Sequence, residues 1–349
     1  PLMHVGIVCP YDLGKPGGVQ DQVIRLAGWL ERAGHSATVI GPGKEGPPGA
    51  VLVAGTSVVK ANAAATPIAL DPRVRSRIND AVSDADVVHI HEPLMPTVSL
   101  TATRIGDRPT VGTFHADAPP WARKGYTTLS PIVRKILGRL DVVTTVSPVA
   151  RSAIAGVVEA RVIPNGIDID AYGNGDPVPG RVAFLGRDDP RKGLDVLLEA
   201  WPEVLGAHDA ASLHVMGAAR DAEIDGVTFL GPVGNDEKYT ELAEAEVFVA
   251  PNLRGESFGI IVAEGMASKC AVVASGIPAF LHVLGNSGEI VAPGDSRDLA
   301  GAVVRLLVDD ARRGDLARRA RDKVRAFDGA RVVDEYIAAY EDAMTAYRS

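Results

Sequence analysis

Short apolar runs rich in β-branched residues alternate along this chain with longer stretches of helical period. Val5-Gly6-Ile7-Val8-Cys9 leads into an amphipathic pattern from about Gly18 to Ala33, then to Ala37-Thr38-Val39-Ile40. This is the rhythm of βαβ units. Further strands are predicted at Val51 to Val53, Val87 to Ile90, Thr110 to Phe114 and Val142 to Val146. A second series, Val182 to Leu185, Leu213 to Met216, Val227 to Leu230, Val247 to Ala250 and Ala271 to Ala274, alternates with helices in the same way. The expected fold class is α/β, with two Rossmann-like domains, each on a doubly wound parallel sheet. The Pro/Gly-rich run Gly173 to Gly180 breaks both periodicities and is the linker candidate. It sets the boundary near residue 170, giving domains 1–170 and 171–328.

Composition narrows the class. A chain of 349 residues, 46% hydrophobic and 23% charged, has room for two full cores. Its two cysteines, Cys9 and Cys270, sit far apart in strand-like runs. That argues against a disulfide framework or a zinc site and for a cytoplasmic protein. No apolar run approaches the ~20 residues of a spanning helix, and the opening residues lead into a strand without a basic leader, so neither export nor a membrane span is expected.

Charge is uneven. Residues 1–165 carry 17 basic and 13 acidic side chains, a net of +4, against 19 and 31 in the remainder, a net of −12. The first half therefore suits an anionic partner such as a phospholipid surface, while overall acidity argues against nucleic-acid binding. Arg73, Arg75 and Arg77 form the sharpest cluster, with 73 and 77 on one helical face. Arg123, Lys124, Arg134, Lys135 and Arg139 add to it, although a solvated helix face accounts for each cluster singly.

The candidate chemistry lies at strand ends, where open α/β sheets gather ligands. In Gly255-Glu256-Ser257-Phe258-Gly259-Ile260-Ile261-Val262-Ala263-Glu264, a loop carboxylate precedes a predicted helix start near Gly259. Backbone N–H groups there would face a diphosphate, Glu256 would accept from sugar hydroxyls, and Glu264 would accept both hydroxyls of a ribose. A plain helix start with a surface Glu explains the same residues without a ligand. Gly186-Arg187-Asp188-Asp189-Pro190-Arg191-Lys192-Gly193 reads as strand, basic loop, helix, and places Arg187 and Lys192 to neutralise a diphosphate. Gly17 and Gly18 follow the first strand and allow a close backbone approach, or make a mere tight turn. His115 ends a strand among polar neighbours. His89 and His91 share a strand face, with His89 expected partly buried and His91-Glu92 near the site.

Other chemistries find less support. Neither half carries G-x-G-x-x-G at its first strand–helix turn, and no G-x-S-x-G elbow is present. Asp84-Ala85-Asp86 precedes its strand and Asp168-Ile169-Asp170 follows a turn, so neither reads as a metal-binding D-x-D pair. No metal and no cofactor are expected.

These motifs, with Val8-Cys9-Pro10-Tyr11, Pro16-Gly17-Gly18-Val19-Gln20, His89-Ile90-His91-Glu92-Pro93 and Ile163-Pro164-Asn165-Gly166, resemble nearly end to end the retaining glycosyltransferases of family four, which have the GT-B fold. Closer still, they look like the actinobacterial phosphatidylinositol α-mannosyltransferases. The resemblance implies two domains facing a central cleft, with a final helix of about residues 329–349 returning to the first domain. It implies His115 as an active-site group beside Glu256, Arg187 and Lys192. Donor contacts would come from Gly17, Gly18, Val233, Asn235, Lys238, Ser257, Phe258, Gly259, Ile260 and Glu264, and acceptor contacts from Tyr11, Gln20 and His115. A peripheral monomer at the inner membrane face, contacting lipid through Arg73, Arg75 and Arg77, is expected.

Two departures leave specificity open. Asn235 stands where the family pattern has Asp, and a carboxylate accepts from two guanine donors better than one amide oxygen does. Leu94 stands where the inositol-lipid enzymes carry a polar residue, and the paired arginines expected near Ala65-Thr66-Pro67-Ile68 are missing. A UDP-sugar donor with a soluble acceptor, a nucleotide-sugar epimerase and a non-catalytic binding protein are the alternatives.

Overall fold

The computed structural model describes residues 2–55, 72–115 and 130–348. The chain divides into two compact units, Pro1–Gly166 with Gly329–Ser349, and Ile167–Asp328.

The first unit is built on a seven-stranded sheet of β1 (His4–Val8), β2 (Ser36–Pro42), β3 (Val51–Ala54), β4 (Val87–His91), β5 (Thr110–Phe114), β6 (Val142–Thr145) and β7 (Arg161–Val162), in the order β3-β2-β1-β4-β5-β6-β7. Every pairing is parallel, with Val5 opposite both Ala37 and Val87. β4 and β5 are buried at every position, as parallel strands covered on both faces must be. Within this unit only β7 lacks a forecast, because two residues cannot display a period.

The helix Gly18–Arg32 buries Val23, Leu26, Ala27 and Leu30, the i, i+3, i+4, i+7 stripe of a core-facing helix. The helix Gly329–Arg348 adds Val332, Val333, Tyr336, Ala339, Tyr340 and Ala343 to the same core. The Trp29 ring lies against both Gly166 and Gly329, the two residues at which the chain leaves and re-enters this unit, and neither has room for a β-carbon. Gln22 fixes the exit as well. Its amide donates to the Gly166 carbonyl at 3.0 Å and accepts from the Gly166 N–H at 3.1 Å.

The second unit carries six parallel strands, β8 (Arg181–Leu185), β9 (Ser212–Met216), β10 (Val227–Gly231), β11 (Val247–Ala250), β12 (Ala271–Ser275) and β13 (Glu289–Val291), ordered β10-β9-β8-β11-β12-β13. Counted within the unit this is 3-2-1-4-5-6, a doubly wound sheet whose order reverses between β8 and β11. Its core joins these strands to the helices Leu194–Ala207 and Ser296–Val308 through Trp201, Val204, Leu299, Val303 and Leu306.

The run 173–180 lies inside this unit and is tied down. Gly180 N–H donates to the Glu246 carboxylate at 2.8 Å, Val178 N–H to the Glu244 carbonyl at 2.8 Å, and Lys269 to the Gly173 carbonyl at 2.8 Å. Composition that breaks both periods describes an anchored turn as well as a joint. Both cysteines are buried and unbridged, and burial pushes each thiol up to about 12. Among the described residues, no helix is long and apolar enough to cross a membrane.

Candidate functional site

In the second unit the loops after β8 and β11 meet where the strand order reverses. Leu253 N–H donates to the Arg191 carbonyl at 2.8 Å, and Gly193, at φ +72°, presses against the Pro251 carbonyl. This contact brings the Lys192 ammonium onto Glu256, whose Oε1 also accepts from Asn252 Nδ2 at 2.9 Å. Asn252 is fully buried, and its Oδ1 has no partner among the described residues.

The acids of the β8 loop are neutralised locally. Arg220 holds Asp188 through two bonds of 2.8 and 2.6 Å and Asp195 at 2.7 Å, while Arg191 holds Asp189. These guanidiniums keep both Asp188 and Asp189 below the usual carboxylate range. Arg187 is exposed, and its side chain makes no hydrogen bond or ion pair among the described residues. The acids of the loop are thus paired, while Arg187 leaves a positive charge exposed.

Glu256, Ser257, Phe258 and Gly259 lead directly into the helix Ile260–Ala267. Gly259 sits at φ +100° with Phe280 against it, and the buried Phe258 ring meets Phe327 edge-on at 5.3 Å, which fixes the loop. The N-cap residue, Gly259, makes no side-chain cap and the first turn holds no acid, so neither offsets the positive end of this helix. Glu264 lies within the helix and is buried. Its Oε1 accepts from Tyr172 Oη at 2.7 Å and from Lys238 Nζ at 2.7 Å. Lys238 also stands over the rings of Tyr172 and Tyr239 at 5.9 and 5.4 Å. Asn235, exposed, opens the helix Asn235–Ala243 that presents Lys238, and half-buried Val233 lies just before it.

In the first unit Gly17 precedes the helix Gly18–Arg32 with the Gln20 amide folded over it, and Gln20 Nε2 donates to the Asp12 carbonyl at 3.3 Å. A β-carbon at Gly18 would meet nothing within 4 Å. Tyr11 packs half-buried against the core.

The histidines form a stack. His89 and His91 ring centroids lie 4.2 Å apart, and His91 stacks on His115 at 4.9 Å with Nδ1 to Nε2 at 2.6 Å. His115 N–H donates to Glu92 Oε1 at 2.7 Å, and Glu92 itself sits at φ +49°. Burial drives His115 down to about 4, partly offset by a hydrogen bond with Asn165. Burial and the neighbouring His115 push His89 down to about 3, and His91 falls well below its ordinary value. All three are neutral imidazoles near pH 7. His89 is fully buried, bonded to Tyr340 Oη at 2.9 Å and Thr113 Oγ1 at 2.6 Å, and this corrects the expectation of partial exposure. The sheet covers one side of it and the helix Gly329–Arg348 the other.

Arg73, Arg75 and Arg77 are all exposed on the helix Pro72–Ala81, because Val74 and Ile78, one turn apart, take its buried face. Leu94 packs against the core with Val88 and Ile90. Arg123, Lys124 and Ala65 to Ile68 lie outside the described residues. Asp86 Oδ2 accepts the His4 N–H at 2.7 Å at the start of the sheet. Among the described residues no group of three or more His, Cys, Asp or Glu side chains is placed to hold a metal.

The structure therefore brings Lys192 to Glu256, Lys238 to Glu264 and His91 to His115. Sequence reasoning did not single out Asn252 or Tyr172. Asn252 carried a signal, a polar residue two positions after the strand that flanks the sheet's reversal, whereas Tyr172 lies 92 positions from its partner and gave none.

Two parallel doubly wound units, with an exposed cationic loop and an uncapped helix start in the second, define a glycosyltransferase of the GT-B type. The chain belongs to glycosyltransferase family 4. The model of that family matches residues 16–171, and a model described as glycosyl transferases group 1 matches residues 179–309. A phosphatidyl-myo-inositol mannosyltransferase of Mycobacterium leprae is 34% identical, covering 98% of both chains. A GDP-mannose-dependent alpha-(1-6)-phosphatidylinositol monomannoside mannosyltransferase of Mycobacterium tuberculosis is 29% identical over 89% of this chain and 91% of its own. Among solved structures, sucrose-phosphate synthase from Thermosynechococcus elongatus matches with a TM-score of 0.73 at 19% identity, covering 97% of this chain and 98% of its own. HepE of Anabaena in complex with UDP and glucose gives 0.73 at 17%, covering 97% and 99%. At these identities the structures bear on the fold alone.

Proposed function

We propose that this chain is a retaining, metal-independent mannosyltransferase that moves mannose from GDP-mannose to the inositol ring of phosphatidylinositol at the inner face of the membrane. The observation that carries the reading is the contact of Lys192 with Glu256 at the second unit's strand-order reversal. A cation suited to a diphosphate and a carboxylate suited to sugar hydroxyls meet where such sheets gather ligands. The relatives named for phosphatidylinositol and mannose support the choice of substrates.

During transfer, positive charge builds on the sugar and negative charge on the departing diphosphate. Arg187, Lys192 and the open helix start at Gly259 oppose the second charge, an arrangement of preorganised donors worth several kcal/mol of barrier. Glu256 orients the sugar and Glu264 the ribose. Val233, Asn235 and Lys238 face the base. Gly17 and Gly18, at the start of the helix Gly18–Arg32, belong to the same reading as donor contacts. Tyr11, Gln20 and His115 receive the acceptor. A neutral His115 hydrogen-bonds a hydroxyl without adding charge, and the leaving phosphate takes the acceptor's proton. Arg73, Arg75 and Arg77 meet anionic headgroups.

Asn235 favours a second reading, a UDP-sugar donor with a soluble acceptor, because an amide oxygen satisfies guanine's paired donors less well than a carboxylate. The test is product formation from GDP-mannose, UDP-glucose and UDP-N-acetylglucosamine, with and without phosphatidylinositol vesicles, in EDTA. Vesicle-dependent mannose transfer supports the first reading. Consumption of a UDP-sugar alone supports the second, interconversion of donors without acceptor points to an epimerase, and tight donor binding without turnover to a binding protein.

A further inference from the structure

We propose that the first unit carries a second anion site, a cavity of about 490 Å³ lined by Arg75, Thr103, Arg104, Ile105, Gly106 and Arg139, which takes a multiply phosphorylated anion. Its three guanidiniums arrive from three separate segments: the helix Pro72–Ala81, the turn after the helix Val98–Ala102, and the turn after the helix Ser130–Leu137. Among the described residues no carboxylate lines the cavity. The adjacent acid Asp107 pairs with Arg108, and Asp141 is bonded to Thr110 through both its N–H and its hydroxyl. None of the three arginine side chains has a hydrogen-bond or ion-pair partner among the described residues.

The frame beneath them is buried and packed. Val74, Ile78, Ala102, Ile105 and Leu137 belong to one buried cluster, so the guanidiniums project from a packed core. Thr103 directs its hydroxyl back to the Leu100 carbonyl at 2.8 Å, and a β-carbon at Gly106 would meet nothing within 4 Å. Recognition is thereby left to the arginines, whose planar forks match phosphate oxygens two at a time. Three like charges around one cavity repel each other until an anion enters. The volume is that of a small-molecule site and exceeds the need of a single phosphate. Arg75 apart, no lining residue takes part in the mannosyl-transfer reading. That reading needs only a diffuse contact with lipid, whereas this cavity binds a discrete group in a fixed ratio.

Free polyphosphates and lipid headgroups share this chemistry, and the test separates them. Inorganic tripolyphosphate is titrated by calorimetry into the full chain carrying Lys192→Ala, which removes the donor-site cation. One equivalent is expected to bind, and adding Arg104→Gln with Arg139→Gln should weaken it at least tenfold. GDP binding and melting temperature of Arg104→Gln/Arg139→Gln in the otherwise unaltered chain should stay unchanged, which shows that the variant folds. Co-sedimentation with phosphatidylcholine vesicles containing a phosphatidylinositol bisphosphate supplies the second arm. Loss of vesicle capture together with tripolyphosphate binding assigns the site to a lipid headgroup. Loss of tripolyphosphate binding alone assigns it to a soluble polyphosphate. Tripolyphosphate affinity within twofold in the folded double variant overturns the proposal.

Discussion

Gly193 faces the carbonyl oxygen of Pro251 so closely that no side chain fits between them, and its φ of +72° is one that L residues rarely adopt. The contact joins the loop of Lys192 to the loop of Glu256. Gly193→Ala is expected to cost ~3 kcal/mol of stability and to raise the donor KM about tenfold or more, because the loops must part. Urea unfolding and donor kinetics check this. An unchanged unfolding midpoint with unchanged KM would show that the loops are not coupled through this glycine.

Lys192 and Glu256 touch, but they are assigned to different parts of the donor, so their variants should differ. Lys192→Ala is expected to weaken GDP binding and lower kcat/KM by roughly 10²-fold, the usual effect of removing one preorganised donor from a developing anion. Glu256→Gln should lower turnover while leaving GDP affinity within about threefold. Equal losses of GDP affinity in both would place Glu256 on the nucleotide and not on the sugar.

Tyr172 and Lys238 share one oxygen of Glu264. Tyr172→Phe removes one of those donors and keeps the ring that meets Tyr239. A loss of about 1 kcal/mol of stability is expected, together with GDP affinity reduced about threefold to tenfold as Glu264 loses its fixed orientation. Binding of GDP measured by calorimetry at an unaltered level would sever Glu264 from the ribose.

The histidine stack predicts acid lability. Unfolded, each imidazole takes up a proton below about pH 6.5. Folded, burial keeps His89 neutral down to about 3 and His115 down to about 4. The unfolded state therefore binds more protons within that window. Stability is full above pH 6.5 and is lost as pH falls toward 4, on the order of a few kcal/mol. His89→Gln, which removes one such group, should flatten the dependence in urea unfolding series between pH 4.5 and 7.5. A slope equal to that of the unaltered chain would count against the assignment.

The strand pattern was readable because central parallel strands are buried on both faces and leave continuous apolar runs, as in Val247-Phe248-Val249-Ala250. Two edge strands, Arg161–Val162 and Glu289–Val291, escaped because they are too short for a period and partly exposed. At the candidate site, the residues visible in the sequence are those with local signatures, namely Lys192 in its basic loop and Glu256 before a helix start. Partnerships were hidden. Nothing local announces that Tyr172 reaches Glu264, or that Asp188 and Asp195 are held by Arg220, since these bonds span 25 to 92 residues. His89 was misread because a histidine on a strand looks polar until the helix that covers it, some 250 positions later, is in place.

The helix Gly329–Arg348 has a bearing on how the protein comes into being on the ribosome. Its apolar face completes the first unit's core against Trp29 and Leu30, yet it is translated only after the whole of the second unit. The second unit is contiguous and can close as soon as it emerges, whereas the first must wait with one side of its core bare. The half of the chain made first is thus the half finished last, and it is the nascent state of that half which most needs shielding from aggregation.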